Sequence, residues 1–283
     1  MLIIKHQLPL QQYLQKSGQK QQTIGFVPTM GALHQGHISL IKQSKLQSAI
    51  TVCSIFVNPT QFNDPTDFEK YPVTIDADIN LLEAAGCDVL FLPSVAEIYP
   101  AGLTAAKQYP LGFLETVLDG AYRPGHFQGV CQVVERLLEI VQPNLLFLGQ
   151  KDYQQCMVIT RLTQLMGIDT RVVIAPTQRE TDGLAMSSRN RRLTPQHRLT
   201  APLLYQTLLF LQQQVRPGDI TRLKMKAVDS LTQAGFKVDY VEMANASTLQ
   251  LIDNWDGTTP LVALVAAFIG EVRLIDNLVF ANK

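Results

Sequence analysis

Five short apolar runs constrain this chain most: residues 23–27, 49–57, 88–92, 145–148 and 171–174. Each is rich in Val, Ile, Leu or Phe. Each is closed by a breaker: Pro28, Asn58-Pro59, Pro93, Gly149 or Pro176. Runs of that length and content read as buried strands. Helical periods lie between them. Ile38, Leu40 and Ile41 follow the first run. Residues 76–85 precede Gly86. Val130, Val133, Val134, Leu137, Leu138 and Val141 share one helical face before Pro143, and residues 153–166 precede Gly167. Strand and helix in alternation predict an α/β fold, a parallel sheet with right-handed crossovers.

In such sheets ligands bind beyond the carboxyl ends of the strands. The segments after the first, second, fourth and fifth runs are PTMGALHQGH (28–37), NPTQF (58–62), GQKD (149–152) and PTQRETDGLAMSSRN (176–190). They are expected at one edge of the sheet. After Pro176 the pattern changes. Helical stretches at 195–214 and 219–234 flank Pro217-Gly218, and strand-like runs at 237–243 and 261–269 flank a turn at Asp256-Gly257. Two domains are therefore expected, 1–176 and 177–283, the second a smaller α+β unit and in one reading a lid. The Gln-rich patches near Gln11 and Gln212 read as polar surface.

Composition removes several classes. Lys and Arg total 24, as do Asp and Glu, so the basic excess of a nucleic-acid binder is missing. The longest apolar run, 261–269, is too short for a bilayer. MLIIKHQLPLQQY has no basic start with a sustained apolar core, so no signal peptide is expected. Cys53, Cys87, Cys131 and Cys156 lie far apart without a C-x-x-C pair, as reduced cytoplasmic thiols do.

Residues 28–37 are a strand-to-helix turn. Gly31 and Gly36 have P-loop spacing, but His37 and Ile38 stand where a P-loop needs Lys and Ser or Thr. What remains is His34-x-Gly36-His37 at a helix start, where free N–H groups and the dipole favour an anion. It resembles the HIGH motif of the adenylyl-transfer superfamily. By itself the motif leaves a plain Gly-containing turn equally open. Lys151 follows a buried strand and a Gly, with Asp152 placed to orient it. Gln61 and Gln155 are paired amides that suit a hydroxy acid. Asp182-Gly183 followed by Met186, Ser187, Ser188 and Arg189 can close on a polyphosphate, and resembles the KMSKS-type loop that partners HIGH. Asp76 and Asp78 are the metal candidates, against a reading as helix-surface carboxylates. Arg123 and His126 are open between substrate and a partner subunit.

PTMGALHQGH, SIFVNPTQF, RPGHFQGV, GQKDYQQ and DGLAMSSRN occur in this order, and with them the chain resembles the pantothenate synthetase family over nearly its whole length. That resemblance implies a Rossmann-like N-terminal domain, a smaller C-terminal domain and a homodimer. It implies condensation of pantoate with β-alanine using ATP and Mg²⁺, through a pantoyl-adenylate, releasing AMP and pyrophosphate. Met30, Gly31, Ala32, Leu33, His34, Gln35, Gly36 and His37 would bind ATP, with His34 and His37 at the phosphates. Gln61 and Gln155 would hold pantoate, with Gln61 near β-alanine. Gly149, Gln150, Lys151 and Asp152 would contact ATP, Asp152 at the ribose and Lys151 at the phosphates. Ser187, Ser188 and Arg189, after Met186, would close on the phosphates, and Gln178 would meet the adenine through its backbone. Two departures stand out. Val73 replaces a usual Arg, and Ala77-Asp78 replaces a usual acidic pair, which weakens a metal role for Asp78. Three other readings remain: a nucleotidylyltransferase, the core of an aminoacyl-tRNA synthetase, and a non-catalytic nucleotide sensor.

Overall fold

The computed structural model describes residues 1–18, 21–62, 65–100, 102 and 107–280. Two compact units divide the chain. One holds Met1–Gln150 and Gln154–Pro176, the other Lys151–Tyr153 and Thr177–Lys283.

The first unit is built on six parallel strands: β1 (Leu2–Ile4), β2 (Ile24–Thr29), β3 (Ile50–Ile55), β4 (Val89–Phe91), β5 (Leu145–Gly149) and β6 (Arg171–Ala175), in the order β1-β4-β3-β2-β5-β6. Five of them match the apolar runs. β1 is the addition, a three-residue edge strand whose Leu2 and Ile3 are exposed. Such a short, half-wet strand carries no periodicity to read.

The strands alternate two buried faces. Phe26, Val52, Leu146 and Leu148 join one core with α1 (Gln7–Gly18), α4 (His126–Val141) and α5 (Tyr153–Met166). Val27, Cys53, Ile55 and Phe147 join the other with α2 (Gln35–Gln47) and α3 (Ile75–Ala84). Because both faces are covered, the strands read as continuous apolar runs. α4 contributes most: nine of its side chains from Phe127 to Val141, including Val130, Val134, Leu137 and Leu138, are in the first core.

Chain order reverses between β2 and β5, the switch point of this sheet. These two strands pair only at Gly25–Leu145 and Phe26–Leu146. Pro28, which has no N–H to give, follows two residues later. The pair thus parts toward its carboxyl ends, where a ligand crevice is expected.

The second unit holds β7 (Gly218–Asp219) paired with β9 (Asn254–Trp255). It also holds an antiparallel sheet of β8 (Lys237–Asn245), β10 (Leu261–Ile269) and β11 (Val272–Val279), in the order β11-β10-β8. α6 (Leu203–Gln214) and α7 (Thr221–Gln233) cover one face of it through Leu204, Leu208, Leu211 and Leu231. The stretch expected as one helix at 195–214 is two, Pro195–Thr200 and Leu203–Gln214, with Pro202 between them. Among the described residues no helix is long and apolar enough to cross a membrane.

Candidate active site

The turn after β2 is held by a buried carboxylate. Gly31 and Ala32 have positive φ, +83° and +49°. This left-handed pair turns the N–H groups of Ala32 and Leu33 onto Asp78, at 2.9 and 2.8 Å. Thr74 Oγ1 donates to the same carboxylate at 3.0 Å, and Asp78 is fully buried. A Cβ on Gly31 would come within 3.2 Å of that carboxylate and 3.0 Å of Ile55. Thr29 Oγ1 donates to Ser54 O and accepts from Gly31 N, tying the turn to β3.

α2 starts at this turn with His34 as its N-cap. His34 Nδ1 accepts from Gly36 N at 3.1 Å, and His37 Nδ1 accepts from His34 N at 3.3 Å. The rings lie 4.0 Å apart, tilted by 39°. A ring that accepts at Nδ1 carries its neutral proton on Nε2. Both imidazoles are therefore Nε2–H donors at a helix N-terminus, where the dipole favours an anion. Met30 and Gly36 are half-buried and Gln35 is exposed.

Gln61 sits beside this turn. Its amide reaches Met30 Sδ at 2.9 Å and accepts from Asn58 Nδ2 at 3.3 Å. Asn58 is almost fully buried. It caps the 3-10 turn Pro59–Gln61, accepts from the Tyr99 hydroxyl at 2.9 Å and donates to Gly129 O on α4 at 3.2 Å. His126 Nδ1 donates to the backbone carbonyl of Gln61 at 2.7 Å, while Arg123 donates to His126 Nε2 at 3.1 Å. Arg123 and His126 therefore support the Gln61 loop, a role the sequence left undecided. Gln155 is half-buried in the first turn of α5. Its neighbour Gln154 is the structural amide, bonded to the backbone of Leu114, Val117 and Asp119.

β5 ends at Gly149, and the 3-10 turn Gln150–Asp152 follows. Cys156 Sγ donates to Gly149 O. Lys151, Asp152 and Tyr153 belong to the second unit, and from Gln154 to Pro176 the chain is again in the first. Lys151 Nζ lies 3.6 Å from Asp152 Oδ1, and Asn277 Nδ2 holds the Lys151 carbonyl at 2.8 Å.

Also in the second unit, Gln178 O accepts from Met186 N, and Arg179 bridges to Ala185. Gly183 turns this narrow hairpin with φ +94°, against the Tyr205 ring. Arg198 donates to Asp182 at 2.5 Å and holds its carboxyl below the usual range. Ser187 then caps the 3-10 turn Ser188–Arg192 by accepting from Arg189 N at 3.3 Å. Ser188 is buried and Arg189 half-buried.

The metal expectation for Asp78 meets an opposing geometry. Its oxygens already accept two backbone N–H groups and a hydroxyl in a fully buried site, so the carboxylate acts as a turn clamp. Asp76 is exposed. Among the described residues no group of three or more His, Cys, Asp and Glu is placed to hold a metal ion. The described side chains thus do not fit a protein cage for Mg²⁺. Sequence reading also passed over Asn58, Arg179, Asp276 and Asn277. Only Asn58 had a signal, an Asn-Pro step directly after a buried strand.

Comparison with known proteins is in accord with this arrangement. A model of the pantoate-beta-alanine ligase family matches residues 2–279. The pantothenate synthetase of Azobacteroides pseudotrichonymphae is 45% identical over 99% of this chain and 100% of its own. That of Cytophaga hutchinsonii is 43% identical over 95% and 96%. The crystal structure of pantothenate synthetase from Thermus thermophilus superposes with a TM-score of 0.89, at 39% identity over 98% of this chain and 99% of that one. Pantoate-beta-alanine ligase from Francisella tularensis, complexed with beta-gamma ATP and beta-alanine, gives 0.81 at 40% identity over 99% and 97%. With its parallel sheet, its His34–His37 turn at the switch point and matches that run from end to end, the chain belongs to the pantoate–β-alanine ligase family, a family of ligases.

Proposed function

We propose that this chain condenses pantoate with β-alanine in two steps driven by ATP. A pantoate carboxylate oxygen attacks the α-phosphorus. The bond to the bridging oxygen breaks, and pyrophosphate leaves with the electron pair. The neutral amine of β-alanine then attacks the acyl carbon of the pantoyl-adenylate. The bond to AMP breaks, the amine gives up a proton, and pantothenate forms.

The observation that carries this reading is the pair of Nε2–H imidazoles, His34 and His37, locked at the N-terminus of α2. Charge develops on the phosphates as pyrophosphate departs, and preorganised donors aimed at it stabilise that transition state. No enzyme nucleophile is needed, so alignment and positive charge supply the catalysis. Met30 to His37, with Gly149, Gln150, Lys151 and Asp152, bind ATP in this reading. Lys151 reaches the phosphates and Asp152 the ribose. Ser187, Ser188 and Arg189, after Met186, add donors to the phosphates, and Gln178 meets the adenine through its backbone. Gln61 and Gln155 hold pantoate, donating to its carboxylate without neutralising it. Support for ATP and β-alanine as ligands comes from the Francisella protein, a 40% identical relative crystallised with both kinds of molecule. Mg²⁺ enters as the complex of ATP, carried by the substrate's phosphates. The proposed compartment is the cytoplasm, supported by four buried cysteines that form no disulfide. A homodimer is proposed on the resemblance and is tested by sedimentation velocity.

The test is incubation with ATP, Mg²⁺, pantoate and β-alanine. AMP and pantothenate should appear in equal amounts. ADP in place of AMP would rule out attack at the α-phosphorus.

A further inference from the structure

Lys151 leaves the sheet that precedes it and joins the second unit with Asp152 and Tyr153. Two bonds anchor this short strap. The Tyr153 hydroxyl donates to Ala246 O at 2.5 Å, and Asn277 Nδ2 donates to Lys151 O at 2.8 Å. Asn277 lies on β11 and is 2% exposed.

The residue before it holds a different segment. Asp276, also buried, takes a two-pronged hydrogen bond from Arg179, at 2.6 and 3.0 Å. Arg179 also donates to Gly183 O at 3.1 Å and to Asn277 O at 3.3 Å. Its guanidinium lies 3.7 Å from the centre of the Tyr205 ring. Neighbouring side chains on a strand point to opposite sides. One step of β11 therefore grips the Lys151 backbone on one side. On the other, through Arg179, it grips the Gly183 turn that leads to Ser187–Arg189.

We propose that Asn277 is a positioning residue for Lys151. It fixes the backbone from which the ammonium projects. Together with Asp276 and Arg179, it sets the spacing between that ammonium and the Ser187–Arg189 segment. The proposal rests on the reading above that Lys151 stands at the phosphates. The physical need is clear. A lysine is a point charge on a flexible four-carbon stem, so it becomes a preorganised donor only where its root is held. A buried side-chain amide that donates to the Lys151 carbonyl holds that root directly.

The test is a double-mutant cycle on the full chain, read by kcat for pantothenate formation and by thermal melts. Lys151→Ala, Asn277→Ala and their combination are compared with the native protein. Asn277→Ala should lower kcat about ten- to a hundredfold, the scale of misplacing a catalytic group by an ångström. In the Lys151→Ala background the same change should alter kcat less than about twofold, because its target is gone. The melting temperature should fall equally in both backgrounds, since the carbonyl remains. A kcat loss equal in both backgrounds, or absent from the native one, overturns the positioning role and leaves Lys151 at the phosphates. Should Lys151→Ala itself keep its kcat, the reading of Lys151 falls and the proposal with it. Asn277→Leu, which fills the space without a donor, carries the same cycle if Asn277→Ala does not fold.

Discussion

The amide hydrogens of Ala32 and Leu33 point into a buried carboxylate instead of solvent, and the cost of removing that carboxylate follows from burial. Each buried donor left without a partner costs about 1–3 kcal/mol. Asp78→Ala strands two and should lower stability by about 2–6 kcal/mol. Urea unfolding in metal-free buffer checks this. A variant of native stability that lost only its response to Mg²⁺ would return Asp78 to a metal role. The clamp was illegible in the sequence because its partners lie 45 and 46 positions away. His34 and His37 were legible because they sit in one short motif and cap the helix that follows. Arg123 and His126 were visible as candidates, but their shared target is a backbone carbonyl, Gln61 O, and a sequence does not display carbonyls.

Elements meet the site most closely where α4 lies against the loop after β3. A Cβ on Gly129 would stand 2.3 Å from the backbone oxygen of Thr60, so no side chain fits there unless the 58–61 loop moves. Gly129→Ala should cost about 1–3 kcal/mol as an overpacked contact. Because that loop carries Gln61, the KM for pantoate should rise more than the KM for ATP. An equal rise in both would detach the loop from pantoate. Among the elements themselves, β2, β3, β4 and β5 were readable because both faces of each strand are covered, which makes an unbroken apolar run, while the half-exposed edge strand β6 was readable as Val172-Val173-Ile174 closed by Pro176. β11 was not, because Arg273, Asp276 and Asn277 interrupt its pattern. Those polar positions are paired in the structure, Arg273 with Asp239 and Asp276 with Arg179. The polar residues that hid the strand are the ones that anchor it.

At the scale of the molecule, parallel strands with helices on both faces followed from alternation alone. The placement of Lys151–Tyr153 in the second unit did not, since those residues continue directly from β5. The packed interior makes a chemical prediction. Burial pushes the Cys87 thiol up to about 11 and the Cys131 thiol up to about 12, and it raises Cys53 as well. Thiolate is the reactive form, so a raised pKa leaves these groups protonated near neutral pH. Native protein at pH 8 should resist a thiol reagent, and urea should release all four cysteines together. Fast labelling of the folded protein would contradict the closed interior.

The two-step reaction has its own signature in isotope exchange. With ATP, Mg²⁺ and pantoate present and β-alanine absent, labelled pyrophosphate should enter ATP, because the pantoyl-adenylate forms and reverses before any amine is needed. Omitting pantoate should abolish the exchange. Exchange that strictly required β-alanine would contradict adenylate formation as the first step.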